Sequence, residues 1–257
     1  MSRPLRFGSI VHLEDGHGEE ITCITTDESY LYTSAGRDQN AVVIVREVDS
    51  LDTIAVLRHP QSVTRIDVDD DFVYTMCNGM VHGWSKRDWR HSFILPPREK
   101  KESEFPTIRY IRSFTVDENS IYLGYDDCIV EIYDKTRRSL VSEIKVNEDE
   151  WAFGGIESLR FSKSNSSLLF AIGDRGKINI LKKGSWKLVR SFDFEFGETI
   201  WLSDGADKLY ICHGRSKVEV YSMSDWTHIK TMDAEEYQDF LPWQLMSIDC
   251  ISLLLRL

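Results

Sequence analysis

A chain of 257 residues with 31 Lys and Arg against 42 Asp and Glu carries a formal net charge of −11, a sign that repels phosphate backbones and argues against general nucleic-acid binding. It is long enough to bury a core without staples. Its five cysteines, Cys23, Cys77, Cys128, Cys212 and Cys250, form no CxxC pair, which argues against a disulfide framework or zinc site and for a reducing compartment.

The opening sixteen residues reach charged side chains before any apolar run long enough for a signal peptide. Residues 9–14 (SIVHLE) have the pattern of an outer strand. From residue 15 the chain writes short β-branched and aromatic runs between Gly, Asp and Ser turns: 21–26, a turn at Asp27-Glu28-Ser29, 30–34, a turn at Gly36-Arg37-Asp38, then 41–45. Such runs predict antiparallel strands. The stretch is then repeated. The second strands align as YLYTSAG, FVYTMCN, SIYLGYD, LLFAIGD and KLYICHG, anchored by Tyr32, Tyr74, Tyr122, Phe170 and Tyr210 at separations of 42, 48, 48 and 40 residues. That brackets the roughly 40–45-residue period of a four-stranded propeller blade.

The other strands keep the same register. First strands read ITCITTD, VTRIDVD, IRSFTVD, IESLRFS and TIWLSDG, three of them ending at Asp27, Asp69 and Asp117. Third strands read VVIVREV, MVHGWSK, IVEIYDK, INILKKG and VEVYSMS; fourth strands follow a turn marked by Leu51, Trp89, Leu140, Trp186 or Trp226. Alternation within strands is partial, as expected where stacked blades bury both faces. At the far end QLMSIDC and ISLLLRL read as first and second strands, and 9–14 pairs with them in the expectation of a closed ring with no exposed edge. The segment 248–257 is too short for a membrane span and carries Asp249 and Arg256.

With the repeat in hand, the chain resembles the WD-repeat family of β-propellers over about residues 9–234. Matching elements are Gly16-His17 before Ile21, His59 before Val63, the Gly36-Arg37-Asp38 turn and the 173–176 segment; Tyr133-Asp134 is the nearest substitute for the Trp-Asp dipeptide, and the His–Ser–Asp–Trp set is incomplete in every unit. The expectation is an all-β, single-domain propeller with about six blade positions, five of them complete over 19–234 and a partial last one over 244–257, or a cut-short seven-bladed ring. The resemblance further implies that all blade-to-blade loops emerge on one rim.

Three of those loops are longer than the rest, at 96–107, 147–155 and 234–243, and hold Phe105, Trp151, Phe153, Tyr237, Phe240 and Trp243. Aromatics are over-represented in interface hot spots, though such rings also fold back as lids over blade edges. Turns between second and third strands carry Arg37, Arg175 and Arg215; by resemblance they surround the channel mouth, as an arc suited to carboxylate or phosphate, or each pairs with a nearby Asp such as Asp38 or Asp174. The seven histidines show no HExxH or HxH spacing, and no catalytic or phosphate-cradling motif is present. His17 and His59 occupy repeat positions and read as structural. The expectation is a non-enzymatic scaffold with no cofactor and no metal, cytoplasmic and off the membrane. Its partners are other proteins, met as a monomer or in a hetero-complex through an acidic or phosphorylated segment. An enzyme, or a small-ligand sensor at the channel mouth, is the competing class.

Overall fold

The computed structural model describes residues 20–99, 108–147, 154–195, 201–205, 207–213 and 217–233. The expected terminal strands at 9–14 and 244–257 lie outside these residues. Inside them the repeat folds into five four-stranded antiparallel sheets with strands in sequence order. Blade 1 is β1 (Ile21–Thr26), β2 (Tyr30–Ala35), β3 (Val42–Glu47) and β4 (Thr53–Arg58). Blade 2 is β5 (Val63–Val68), β6 (Phe72–Cys77), β7 (Met80–Ser85) and β8 (His91–Leu95). A two-stranded ribbon, β9 (Arg98–Glu99) and β10 (Ile108–Arg109), precedes blade 3: β11 (Ile111–Val116), β12 (Ser120–Tyr125), β13 (Ile129–Asp134) and β14 (Leu140–Lys145). Blade 4 is β15 (Ile156–Phe161), β16 (Leu168–Gly173), β17 (Lys177–Lys182) and β18 (Leu188–Asp193). Blade 5 is β19 (Trp201–Gly205), β20 (Lys208–His213), β21 (Lys217–Ser222) and β22 (His228–Asp233). No helix among the described residues is long and apolar enough to cross a membrane.

The core sits between blades. Tyr32, Val43, Val45 and Leu57 of blade 1 meet Val63, Val73, Cys77 and Trp84 of blade 2. Tyr74, Met76, Val81 and Phe93 meet Phe114, Ile121, Leu123 and Tyr125 of blade 3; further clusters join blades 3 and 4, and 4 and 5. An inner blade therefore buries both faces, which explains why its strands do not alternate cleanly. First strands line the axis: β1 packs on β5, β5 on β11 and β11 on β15.

The three matched aspartates have a structural reason. Asp27 Oδ1 accepts from the amides of Ser29 and Tyr30, while Oδ2 accepts from the Tyr32 hydroxyl at 2.7 Å and from Lys86 Nζ at 2.5 Å. Asp69 does the same with Tyr74 and Lys135, and Asp117 with Tyr122 and Lys183. In each case the lysine follows the third strand of the next blade, so one carboxylate closes its own turn and clasps its neighbour. Burial alone would raise these carboxyls, but the lysine, hydroxyl and amide donors outweigh it and hold all three below the ordinary range. Blade 4 has Ser162 in place of the aspartate and Phe170 in place of the tyrosine, and blade 5 has Met223 in place of the lysine, with Ser164 Oγ against Met223 Sδ at 3.5 Å. That junction is held instead by buried Asp204, which accepts from Ser162 Oγ at 2.6 Å and from Arg160.

The turns between third and fourth strands are also one device. Leu51, Trp89, Arg138, Trp186 and Trp226 all have φ between 54° and 61°, and each amide donates to the carbonyl four residues back. Arg138, not Leu140, thus holds the blade 3 position: two residues separate the aligned leucine from the turn it was expected to mark. The left-handed residue leans on the preceding blade. Trp89 meets Tyr30 edge-on at 5.2 Å, Trp186 meets Tyr122 at 5.8 Å, and the Arg138 guanidinium lies 4.1 Å from the centre of the Phe93 ring.

The connection expected as a plain loop at 96–107 is ordered at its base. Glu131, fully buried on β13, accepts from the hydroxyls of Tyr125 and Tyr133, both at 2.8 Å, and faces Arg98 at 3.3 Å and Arg109 at 3.5 Å. Arg109 Nε donates to Asp127 at 2.7 Å. Both strands of the ribbon are therefore anchored by ionic contacts to blade 3.

Candidate functional site

The rim bearing the blade-to-blade connections also bears the turns between second and third strands. There the starts of β5, β11 and β15 surround a depression of about 490 Å³ at the channel mouth. Its wall on blade 2 is the Asn78-Gly79 turn, with φ of +51° and +66°; two successive positive angles make this the tight hairpin turn that Asn-Gly favours. Tyr110, 56% exposed, lies beside Gly79.

Two guanidinium groups, those of Arg65 and Arg112, line this mouth, and a third, that of Arg175, meets Arg112 across Asp174. Arg65, from β5, reaches across the axis and donates to the Glu157 carbonyl at the start of β15. Burial lowers its pKa against the opposing pull of Glu157, yet an arginine stays charged. Arg112, from β11, approaches Glu157 Oε1 at 3.5 Å and Asp174 Oδ2 at 3.9 Å; Arg175 lies 3.8 Å from Asp174. Arg65 and Arg112 thus meet on Glu157, and Arg112 and Arg175 on Asp174. These surface contacts are long and half-exposed, so each contributes little and is readily exchanged.

Of the residues expected at the site, Arg37 and Arg175 are described. Both lie exposed on second-to-third-strand turns of this rim, in blades 1 and 4. Arg175 takes the contact with Asp174 that the sequence offered as its alternative. Arg215, Phe105, Trp151, Phe153, Tyr237, Phe240 and Trp243 lie outside the described residues. Sequence reasoning missed Arg65, Arg112 and Tyr110. A signal existed: Arg65 falls where the other first strands carry Cys23, Ser113, Ser158 and Trp201, so it alone of the five places a charge there.

Elsewhere, His59, 3% exposed, packs edge-on against Trp84 at 5.0 Å and His82 at 5.6 Å, and His82 Nδ1 lies 3.2 Å from His91 Nε2. Trp84 Nε1 donates to Thr75 Oγ1 at 3.1 Å. Burial, with His82 and His91 adding, lowers the His59 pKa to about 4. This is a structural cluster between blades 1 and 2. Cys23, Cys77, Cys128 and Cys212 are free thiols, and among the described residues no group of three or more His, Cys, Asp or Glu is placed to hold a metal ion.

Five four-stranded sheets around an axis, with this mouth, define a β-propeller of four-stranded blades. No family model and no curated protein matches the chain in sequence. Among solved structures it is similar to the computationally designed Ika8 protein (TM-score 0.64, 14% identity, 86% of this chain and 64% of that one). It is similar also to U3-55K (TM-score 0.64, 13% identity, 85% and 65%). At such identity the likeness is one of fold, and the chain spans just under two thirds of the length of each.

Proposed function

We propose that this chain is a non-catalytic propeller scaffold that binds an acidic or phosphorylated segment of another protein at the arginine-bearing channel mouth. The observation that carries the reading is the pair Arg65 and Arg112 on an open, mainly polar depression, with Arg175 joined to Arg112 through Asp174. Guanidinium forks match carboxylate and phosphate in bidentate geometry, and exposed Tyr110, beside Gly79 of the wall, offers an amphipathic face of the kind interfaces favour. The open lining suits a peptide segment better than an enclosed small molecule.

The test is fluorescence anisotropy with a labelled Glu-rich peptide, its Ser-phosphorylated counterpart and a neutral control. Arg112→Ala should weaken the acidic or phosphorylated probe, by about 2–5 kcal/mol if the complex buries that side chain, and Arg112→Lys should not restore binding. Equal affinity for acidic and neutral probes sinks the proposal.

A further inference from the structure

The opposite rim carries a second surface, independent of the arginine mouth. Here the A–B turns of blades 1 and 2 and the C–D turn of blade 2 (first-to-second and third-to-fourth strand turns) enclose a groove of about 1010 Å³. Its floor is the clasp in which Lys86 is bound to Asp27, with the ammonium 5.7 Å from the centre of the Tyr32 ring. Above that floor stands the half-buried ring of Tyr30, and Glu28, Asp70 and Asp71 are exposed along the groove; Phe72, also in the lining, packs its ring on Phe93 and Tyr74 toward blade 3.

The charges do not cancel. Asp27 is neutralised by Lys86, Asp69 by Lys135, and Asp88 has Arg90 at 3.9 Å. Glu28, Asp70 and Asp71 have no side-chain partner among the described residues, and Arg87 is the one cation of the lining left against them. Carboxylates beside aromatic faces select cations twice over, by Coulomb attraction and by the ring quadrupole. The molecule uses the same combination internally: Lys86 on Asp27 and Tyr32, and Lys135 on Asp69 and Tyr74, the second at 6.0 Å from the ring centre. The groove presents the same pairing of carboxylate and ring one or two residues further out.

We propose that this groove docks an extended, Lys- or Arg-bearing segment of a partner protein, its cations on Glu28, Asp70 and Asp71 and its aliphatic stems against Tyr30. The propeller then holds segments of opposite charge on opposite rims.

The test uses the full chain and three labelled peptides of equal length, alternating Gly with Arg, with Glu or with norleucine, read by anisotropy at low and moderate salt. The Arg peptide should bind, the other two should not, and binding should weaken as salt rises. Glu28→Gln/Asp70→Asn/Asp71→Asn should weaken it about tenfold, the sum of three exposed pairs. The charge-matched Glu20→Gln/Asp52→Asn/Glu195→Gln variant, whose carboxylates lie off the groove, should leave it unchanged, as should Arg112→Ala, which separates this surface from the arginine mouth. Asp70→Asn alone, at an exposed side chain used by no turn hydrogen bond, should show the same direction in a protein that melts normally. Equal losses in the two triple variants would reduce the effect to net charge and overturn the proposal, as would absence of Arg-peptide binding.

Discussion

Lys86 of blade 2 places its ammonium 2.5 Å from Asp27 Oδ2 of blade 1, and the same carboxylate takes the Tyr32 hydroxyl at 2.7 Å. The pair is largely withdrawn from water, with side-chain exposures of 12% and 22%. Together with its two copies, it joins the first four blades in series.

Because removing one partner strands the other, Asp69→Ser should cost about 2–4 kcal/mol, more than the pair is worth over an apolar replacement. Asp69→Ser with Lys135→Met, imitating Ser162 and Met223, should cost less than the sum of the two single changes. Urea unfolding of the double-mutant cycle checks this; additive losses would mean that Asp69 and Lys135 are not coupled.

The left-handed turn residues separate backbone strain from packing. Glycine relieves about 1 kcal/mol of strain at such a position. Trp89→Gly gives up the contact with Tyr30 and should be net destabilising by about 1–3 kcal/mol. Arg138→Gly loses an exposed guanidinium over Phe93 and its exposed hydrogen bond to Ser92 Oγ, and should fall within about 1 kcal/mol of the parent. Thermal melts of the two variants decide it, and an Arg138→Gly loss as large as that of Trp89→Gly would contradict the account.

His59 should make stability pH-dependent. Its folded pKa, lowered to about 4 from 6.5 chiefly by burial, means the fold favours the neutral ring. That stability is intact above 6.5 and drains away as pH falls toward about 4, by at most about 3 kcal/mol. Asp67 acts oppositely. Burial raises its carboxyl to about 6, so stability gained from its protonated form is lost as pH rises through 6. Comparing the parent with His59→Phe isolates the imidazole: the variant should lose less stability between pH 7 and pH 5, and parallel curves would remove His59 from the explanation.

Glu131 holds the ribbon ahead of blade 3. Glu131→Gln takes the carboxylate from Arg98 and leaves Arg109 to Asp127 and Glu143, and should cost about 1–3 kcal/mol. Limited proteolysis should then cut first between residues 98 and 109, before any blade. Cleavage that begins elsewhere would place the anchor in another contact.

By itself, the sequence determined the architecture. Tyr32, Tyr74, Tyr122, Phe170 and Tyr210 recur in register because each blade must offer the same faces to its neighbours, so the spacing of buried side chains is written locally and survives reading in one dimension. Asp27, Asp69 and Asp117 stood out for the same reason, although nothing in their own units named Lys86, Lys135 and Lys183 as partners. What only the tertiary structure decided are the relations between blades. Arg65 meets Glu157, 92 residues away, because both first strands face one axis. Arg98 and Arg109 turned an apparent loop into a ribbon because Glu131 lies buried beneath them. The charged groove joins Glu28 of one unit to Asp70 and Asp71 of the next. Such contacts depend on the angle at which successive sheets pack, which arises from the sum of many side-chain contacts and is carried by no single stretch of chain.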